Sequence, residues 1–407
     1  MSIKGNTKIW VDGQSKSITF IVTKDCQLAC KYCYLVGKNS KERMSFETAK
    51  KAIDYILDRE LDEVFSYKSV DWDFIGGEPF LEIELIDQIC DYLKQEMYRR
   101  NHHWFDSYRF SFSTNGINYD SEKVQSFIKK NKEHLSIGIT IDGTKRKHDL
   151  NRVWKNTDKG SYDDVVRNIP LWLSQFPVGG TKVTISSADI PYIKESVLHL
   201  YSLGIHEVNI NCVFENVWNE GDDVLFQQQL IELADEIIAN NLYKDFVCSF
   251  YDEDLGKPLS KEYDNQNWCG AGIMLAVDSS GLFYPCNRFT QFSLRDKKTW
   301  TIGNIYDGID KNKLRPFITL NRCTQSRQEC IDCEVAQGCA WCQGENYDAA
   351  DSPTAYQRAT AICKMHKARV HANNYYWNKL YRKLELEGIS KEDMHKFIRK
   401  SNIQHIC

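Results

Sequence analysis

The stretch Ser17-Ile18-Thr19-Phe20-Ile21-Val22-Thr23-Lys24-Asp25-Cys26-Gln27-Leu28-Ala29-Cys30-Lys31-Tyr32-Cys33-Tyr34 decides how this 407-residue sequence is read. Residues 17–22 are β-branched and aromatic, which predicts a strand. Three cysteines follow directly, spaced C-x3-C-x2-C, with an aromatic residue before the last. Three thiolates on one short loop can hold three corners of a cubic iron–sulfur cluster and leave its fourth iron without a protein ligand. A metal with an open position is a reaction site, whereas a fully ligated one is usually a brace or an electron carrier.

Downstream of this loop, short apolar runs alternate with longer amphipathic ones as far as Val217. Strands are expected at 17–22, 70–75, 108–113, 136–141, 182–186 and 207–211. Helices are expected at 44–57, 82–98, 121–131, 162–174 and 193–203, with Ser45 capping the first. Strand–helix units of this length imply a parallel sheet with right-handed crossovers. Six strands are too few for a closed eight-fold barrel, so the fold class is α/β, a partial (βα)6 TIM-type barrel. Such sheets build their sites at the C-terminal strand ends, where every informative loop here falls. The division that follows is an N-terminal extension (1–16), the barrel (17–220), a helical connection and polar linker (221–266), a small cysteine-rich domain (267–365) and a C-terminal helical tail (366–407).

Composition narrows the setting. Hydrophobic residues at 42% and charged residues at 27% describe an ordinary globular protein. A net charge of −4 argues for neither nucleic acid nor membrane as partner. No signal peptide and no apolar run of spanning length are read, so the expected compartment is the cytoplasm. In a reducing compartment fifteen cysteines point to metal or redox work rather than disulfides. Three lie within 26–33 and eight within 269–363. Cys90, Cys212 and Cys248 read as small buried hydrophobes, and Cys407 as part of a solvated tail.

Three further turns carry chemistry. Gly76-Gly77-Glu78-Pro79 ends the second strand: its glycines admit a ligand close to the backbone, and Glu78 can accept from an ammonium. By itself this would be an ordinary turn. Ser113-Thr114-Asn115-Gly116 ends the third strand with three hydrogen-bonding side chains, and Thr140-Ile141-Asp142-Gly143 ends the fourth, with Arg152 nine residues beyond Gly143. In this order the motifs resemble those of radical S-adenosylmethionine enzymes, over roughly residues 17–217. That resemblance implies that the open iron chelates S-adenosylmethionine and cleaves it to methionine and a 5′-deoxyadenosyl radical. It further implies that Gly76, Gly77 and Glu78 meet the methionine amino group, that Ser113 and Asn115 lie near the ribose, and that Thr140 and Arg152 lie near the carboxylate.

The second cysteine-rich unit runs Cys269, Cys286, Cys323, Cys330-x2-Cys333-x5-Cys339-x2-Cys342, Cys363. One or two zinc sites are the plain alternative. The pattern resembles the SPASM domain, which holds two auxiliary [4Fe–4S] clusters, giving three in all. The resemblance implies that Cys330, Cys333, Cys339 and Cys363 ligate the outer cluster, and Cys269, Cys286 and Cys342 the inner one. The inner cluster then has either Cys323 as its fourth ligand or an open iron.

Anaerobic sulfatase-maturating enzymes, which make formylglycine, carry an aspartate directly after the second auxiliary cysteine. This chain has Asn287 there, which cannot act as a base, followed by Arg288; these two are the candidate catalytic residues. The expected function is therefore maturation of a ribosomally made precursor peptide by joining cysteine sulfur to carbon in a thioether. The sequence is similar to the group linked with Cys-x-x-x repeats, the ranthipeptide and sactipeptide class. Formylglycine formation, carbon–carbon crosslinking and a non-catalytic iron–sulfur or zinc scaffold remain the alternatives. The implied partners are the precursor peptide and an electron donor of flavodoxin or ferredoxin type. Tyr375-Tyr376-Trp377 in the tail serves helix packing or leader recognition.

Overall fold

The computed structural model describes residues 15–400 apart from 266, 268 and 340. Cys407 and most of the N-terminal extension lie outside these residues. Strands β1 (Ser15–Thr23), β2 (Ser69–Gly76), β3 (Tyr108–Thr114) and β4 (Leu135–Ile139) pair in parallel and in sequence order. They are joined by α1 (Phe46–Leu57), α2 (Ile83–Arg99) and α3 (Glu122–Asn131). Ser45 caps α1, its side chain accepting from the Thr48 N–H at 3.0 Å.

One face of this sheet is apolar: Phe20, Phe74 and Phe112 stand side by side in register and pack beneath the helices with Ile53, Ile86 and Leu93. The opposite face is the barrel lumen and is largely polar. Thr19 pairs with Asp73, Asp73 with Ser111, and Ser111 with Ser136. Above that row Ile21 faces Ile75, and with Cys33 and Tyr34 of the cysteine loop Ile75 packs against the small cluster of Ile21, Leu35 and Phe292.

After β4 come α4 (Lys145–Asn151), α5 (Tyr162–Val166), α6 (Ile169–Gln175), β5 (Thr181–Ile185), α7 (Ile193–Ser202), β6 (Glu207–Cys212), α8 (Asp222–Ala239) and β7 (Val247–Cys248). Strands β5, β6 and β7 form a separate three-stranded parallel sheet. The barrel is thus interrupted between β4 and β5, where an isolated bridge joins Thr140 to Lys182. The Thr181 hydroxyl stands in for the missing ladder, donating to the Ile139 carbonyl at 2.7 Å and accepting from the Ile141 N–H at 3.2 Å.

Three expectations are corrected here. A seventh strand of two residues, β7, lies in the stretch read as helical connection and linker. The single helix at 162–174 is two: Pro170 lies in the first turn of α6, and the Asn168 amide donates to the Gly116 carbonyl at 2.8 Å. Helix α4 was not anticipated; its apolar content is too low for a periodic signal, and it is held by Thr144 as cap and by buried Lys147 and His148.

The cysteine-rich region does not stand apart from the barrel. Its strands β8 (Leu275–Val277), β9 (Leu282–Tyr284), β10 (Gly303–Asn304) and β11 (Gly308–Ile309) extend the first sheet, in the order β11-β10-β9-β8-β1-β2-β3-β4. Short helices α9 (Lys311–Thr319), α10 (Arg322–Gln325), α11 (Gln328–Ile331) and α12 (Gln343–Ala349) follow. Helix α13 (Cys363–Leu386) follows and packs along α8, with Lys379 pairing with Asp235 at 2.7 Å; its Tyr376 stacks on Tyr251 at 4.3 Å. The tail helix therefore starts three residues before the expected 366 and ends at Leu386, well short of the chain's end.

Candidate active site

The loop carrying Cys26, Cys30 and Cys33 leaves the C-terminal end of β1 and is stitched to the segment after α4. The Ala29 N–H donates to the Val153 carbonyl at 2.8 Å, Lys31 N–H to Asn151 O at 3.0 Å, and Lys155 N–H to Gln27 O at 2.9 Å. None of the three cysteines is in a disulfide. The Leu28 N–H points at Cys26 Sγ from 3.3 Å, and the Asn115 amide lies 3.9 Å from the same sulfur. Burial pushes the Cys26 thiol up to about 12, with the Glu78 carboxylate adding to the rise. Burial raises Cys30 as well, against the pull of Arg152. A metal bound there would hold them as thiolates. Among the described residues, Glu60, His102 and His103 are the one trio of His, Cys, Asp or Glu whose ligand atoms all lie within 4.8 Å of one another.

The strand ends converge on this loop. Added side-chain atoms at Gly76 and Gly77 would meet the Thr23 and Asp25 carbonyl oxygens at 2.4 and 2.2 Å, so both positions require glycine. The Glu78 carboxylate is buried and fully engaged: it accepts from Thr114 Oγ1 at 2.7 Å, the Asn115 N–H at 2.7 Å and the Phe80 N–H at 3.1 Å. Its side chain therefore ties β2 to β3 rather than standing open to an ammonium, and backbone groups of the Gly76–Glu78 turn are what remains to meet one. Asn115 donates to Gln27 Oε1 at 3.0 Å, whereas Ser113 lies deeper in the lumen and accepts from Lys182 at 3.0 Å. Thr140 is half-buried at the β4–β5 seam, its N–H bonded to Thr114 O at 2.9 Å.

Arg152 is drawn in beside the cysteine loop. Its guanidinium donates to the Tyr32 hydroxyl at 3.0 Å, and Tyr32 donates to the Asp142 carboxylate. Arg152 Nε is buried with no partner among the described residues, a donor beside the loop that suits an anionic ligand. The motif reading did not assign Tyr32 or Asp142 to this site, although both residues were legible within the motifs.

The distal cysteines form two groups. Cys269 and Cys342 both press electrostatically on Cys286, whose thiol burial raises well above its ordinary value. The N–H groups of Gln343 and Glu345 point at the sulfurs of Cys269 and Cys342 from 3.5 Å. Cys330, Cys333 and Cys363 likewise surround Cys339, and Arg358 donates to Cys339 Sγ at 3.3 Å. Cys323 is exposed on α10. Gln343 is fully buried beside the inner trio, and neither amide atom has a partner among the described residues. Cys90 and Cys248 are buried and Cys212 is half-buried, each thiol raised by desolvation.

The two sites touch through the residues that follow their cysteines. Asn287, next to Cys286, donates its amide to the hydroxyl of Tyr34, next to Cys33, at 2.8 Å. Arg288 lies over the Tyr34 ring at 4.6 Å and bonds Glu215 at 2.9 Å and Glu345 at 3.0 Å. Arg295 continues the network to Glu345 and Asp348.

Comparisons with known proteins agree with this geometry. Residues 20–203 match the Radical SAM superfamily. An uncharacterized protein of Methanocaldococcus jannaschii is 29% identical over 75% of this chain and 92% of its own length. The cysteine-type anaerobic sulfatase-maturating enzyme of Clostridium novyi is 31% identical over 42% of this chain and 44% of its own. In fold, native anSMEcpe with bound AdoMet covers 91% of this chain and 99% of its own, with TM-score 0.67 at 20% identity. Streptococcus suis SuiB bound to precursor peptide SuiA covers 85% of this chain and 75% of its own, with TM-score 0.56 at 13% identity. The cysteine loop at the end of β1, the glycine turn at the end of β2 and the superfamily match thus coincide: this chain carries a radical SAM domain over residues 20–203.

Proposed function

We propose that this protein is a radical S-adenosylmethionine maturase of a ribosomally made peptide, forming a thioether from cysteine sulfur to carbon. The observation that carries this reading is the Tyr34–Asn287 contact, which sets the inner distal thiols beside the cysteine loop. Cys26, Cys30 and Cys33 hold the cluster with the open iron; such a cluster supplies reductive cleavage of S-adenosylmethionine and a radical that abstracts hydrogen. Gly76, Gly77 and Glu78, with Asn115 and Arg152, bind that cofactor, Ser113 and Thr140 lying further off. Cys269, Cys286 and Cys342 hold the inner auxiliary cluster, whose fourth iron is left to the substrate, and Cys330, Cys333, Cys339 and Cys363 hold the outer one. The exposure of Cys323 supports the open inner site. A flavodoxin- or ferredoxin-type donor supplies electrons, and the setting is cytoplasmic.

Formylglycine formation is the second reading, favoured by the likeness to the sulfatase-maturating enzymes. Against it, the Asn287 amide donates to a phenol and, being an amide, is not basic enough to take up a proton. Reconstitution tests both. About twelve irons per chain are expected, together with 5′-deoxyadenosine from the wild type and none from Cys26→Ala. A synthetic peptide of four Cys-x-x-x repeats should lose two hydrogens per crosslink. Oxidation of a sulfatase-derived cysteine peptide to the aldehyde, with the repeat peptide untouched, would overturn the thioether reading in favour of the second.

A further inference from the structure

Resting on the reading above, in which a peptide thiol reacts inside the barrel, we propose that Asp73 is the proton acceptor of the reaction. It stands on β2, on the lumen face, one row below the layer where Ile75, Cys33 and Tyr34 pack around Ile21.

The lumen makes the case. Barrel interiors that serve only packing are filled with branched apolar side chains. Here the row around Asp73 is Thr19, Ser111 and Ser136, with Asp71 and Arg109 below and Ser113 and Lys182 towards the open side. Polar groups in that number are costly unless they face water or a polar ligand. The two lumen carboxylates differ in state. Asp71 is paired in place, bonded by Arg109 at 3.0 Å and by the Ser111 hydroxyl. Asp73 accepts from the Thr19 hydroxyl at 3.1 Å and is in no ion pair among the described residues. The residue as a whole is half-buried on the lumen face.

The groups that face it set its basicity. They are Asp71 on its own strand, Arg109 on β3, Lys182 on β5 and Tyr34 on the loop. Burial and the Asp71 charge raise its carboxyl to about 7, with Lys182 and Arg109 pulling the other way. An acceptor near neutrality is well matched to a thiol. Asn287 is ruled out for this part, because its amide is spent on Tyr34.

The step balances as follows. A carbon–hydrogen bond and a thiol S–H bond break, and one carbon–sulfur bond forms. The hydrogen atom leaves with the 5′-deoxyadenosyl radical as 5′-deoxyadenosine. The thiol proton goes to the Asp73 carboxylate. The remaining electron goes to an oxidised iron–sulfur cluster, the carbon being oxidised and the cluster reduced.

The test uses the reconstituted full chain with the four-repeat Cys-x-x-x peptide as probe. Asp73→Asn and Asp73→Glu are compared with wild type at equal iron content. Crosslinking by Asp73→Asn should fall by roughly 100-fold or more, the scale of a lost general base. The ratio of 5′-deoxyadenosine to crosslink should rise more than tenfold, which a merely structural role would not do. Asp73→Glu should recover part of the coupling. Wild-type crosslinking should climb with pH through the region near 7, and Asp73→Asn should lose that limb. A coupling ratio and pH profile in Asp73→Asn within threefold of wild type would overturn the assignment of Asp73 alone. A wild type that cleaves S-adenosylmethionine but leaves the probe intact would instead overturn the thioether reading, and Asp73 with it.

Discussion

At position 77 a side chain has nowhere to go. The first added carbon would sit 2.2 Å from the Asp25 carbonyl oxygen and 2.6 Å from its carbon, both fixed backbone atoms at the entry to the cysteine loop. The Asp25 carbonyl is also the acceptor of the Glu78 N–H at 2.9 Å, so relief of the clash would break that bond. Gly77→Ala should therefore destabilise by about 1–3 kcal/mol, the cost of overpacking, and lower the melting temperature by roughly 1–4 °C. Formation of 5′-deoxyadenosine should drop below a tenth of wild type, because β2 and the loop separate; calorimetry and product analysis check the two parts. The glycine pair was legible because a backbone collision admits one residue type. Glu78 was legible as a residue but not in its use, since nothing in a tetrapeptide says that Thr114 and Asn115 will saturate its oxygens. Asp73 left a trace that the motif reading passed over. Val70-Asp71-Trp72-Asp73-Phe74 alternates acid with apolar in a parallel strand, where both faces are ordinarily apolar. That alternation marks a polar lumen.

Among the elements, α12 shows how charge holds the inner cysteine trio in place. Cys342 is its N-cap, and three residues on, Glu345 bonds Arg288 and Arg295. Asp348, on the same helix, accepts from the Arg295 and Asp296 N–H groups and from Arg295 Nε at 2.8 Å. Burial alone would raise the Asp348 carboxyl, but these donors hold it below its ordinary value. A carboxyl depressed in the folded state contributes stability that is present above its unfolded pKa and lost as pH falls through the folded one. Asp348→Asn should thus cost about 1–3 kcal/mol at pH 7 and flatten the acid limb of stability below about pH 4, as urea titrations at pH 3 and 7 would reveal. Equal destabilisation of the variant at both pH values would sink this account. Secondary structure was readable where hydrophobic period and caps agreed, as at Ser45 and α1. It failed for α4 and β7, whose order comes from tertiary partners, Thr144 and Lys147 in one case and β6 in the other.

For the molecule as a whole, the decisive junction is β1 against β8. Ile18, Thr19 and Phe20 pair with Leu275, Ala276 and Val277, so the cysteine-rich region covers the edge of the barrel sheet. Tyr55 of α1 adds to the junction by accepting from the Ile309 N–H at 2.7 Å and packing on Phe283 at 5.1 Å. A fragment ending at residue 220 exposes β1 as an unpaired apolar edge, the kind that recruits other chains. It should be recovered as aggregate, or as a species much larger than monomer by light scattering, whereas the full chain stays dispersed. A monodisperse, cooperatively melting fragment would show that the barrel stands alone. The sequence read as two adjoining units because strand partners 257 residues apart leave no local mark; their register is written only in the packing.

The same junction fixes an order of events in the cell. Strand β1 and the cysteine loop are the first parts of the barrel to leave the ribosome, yet β8 follows only about 250 residues later. At roughly 5–20 residues per second that is a wait on the order of 10–50 s, during which the loop's thiols and the strand edge are both uncovered. The nascent chain therefore meets its greatest exposure to oxygen and to other chains before its own C-terminal half exists. Closure of this sheet edge waits on β8 rather than on the barrel's own strands.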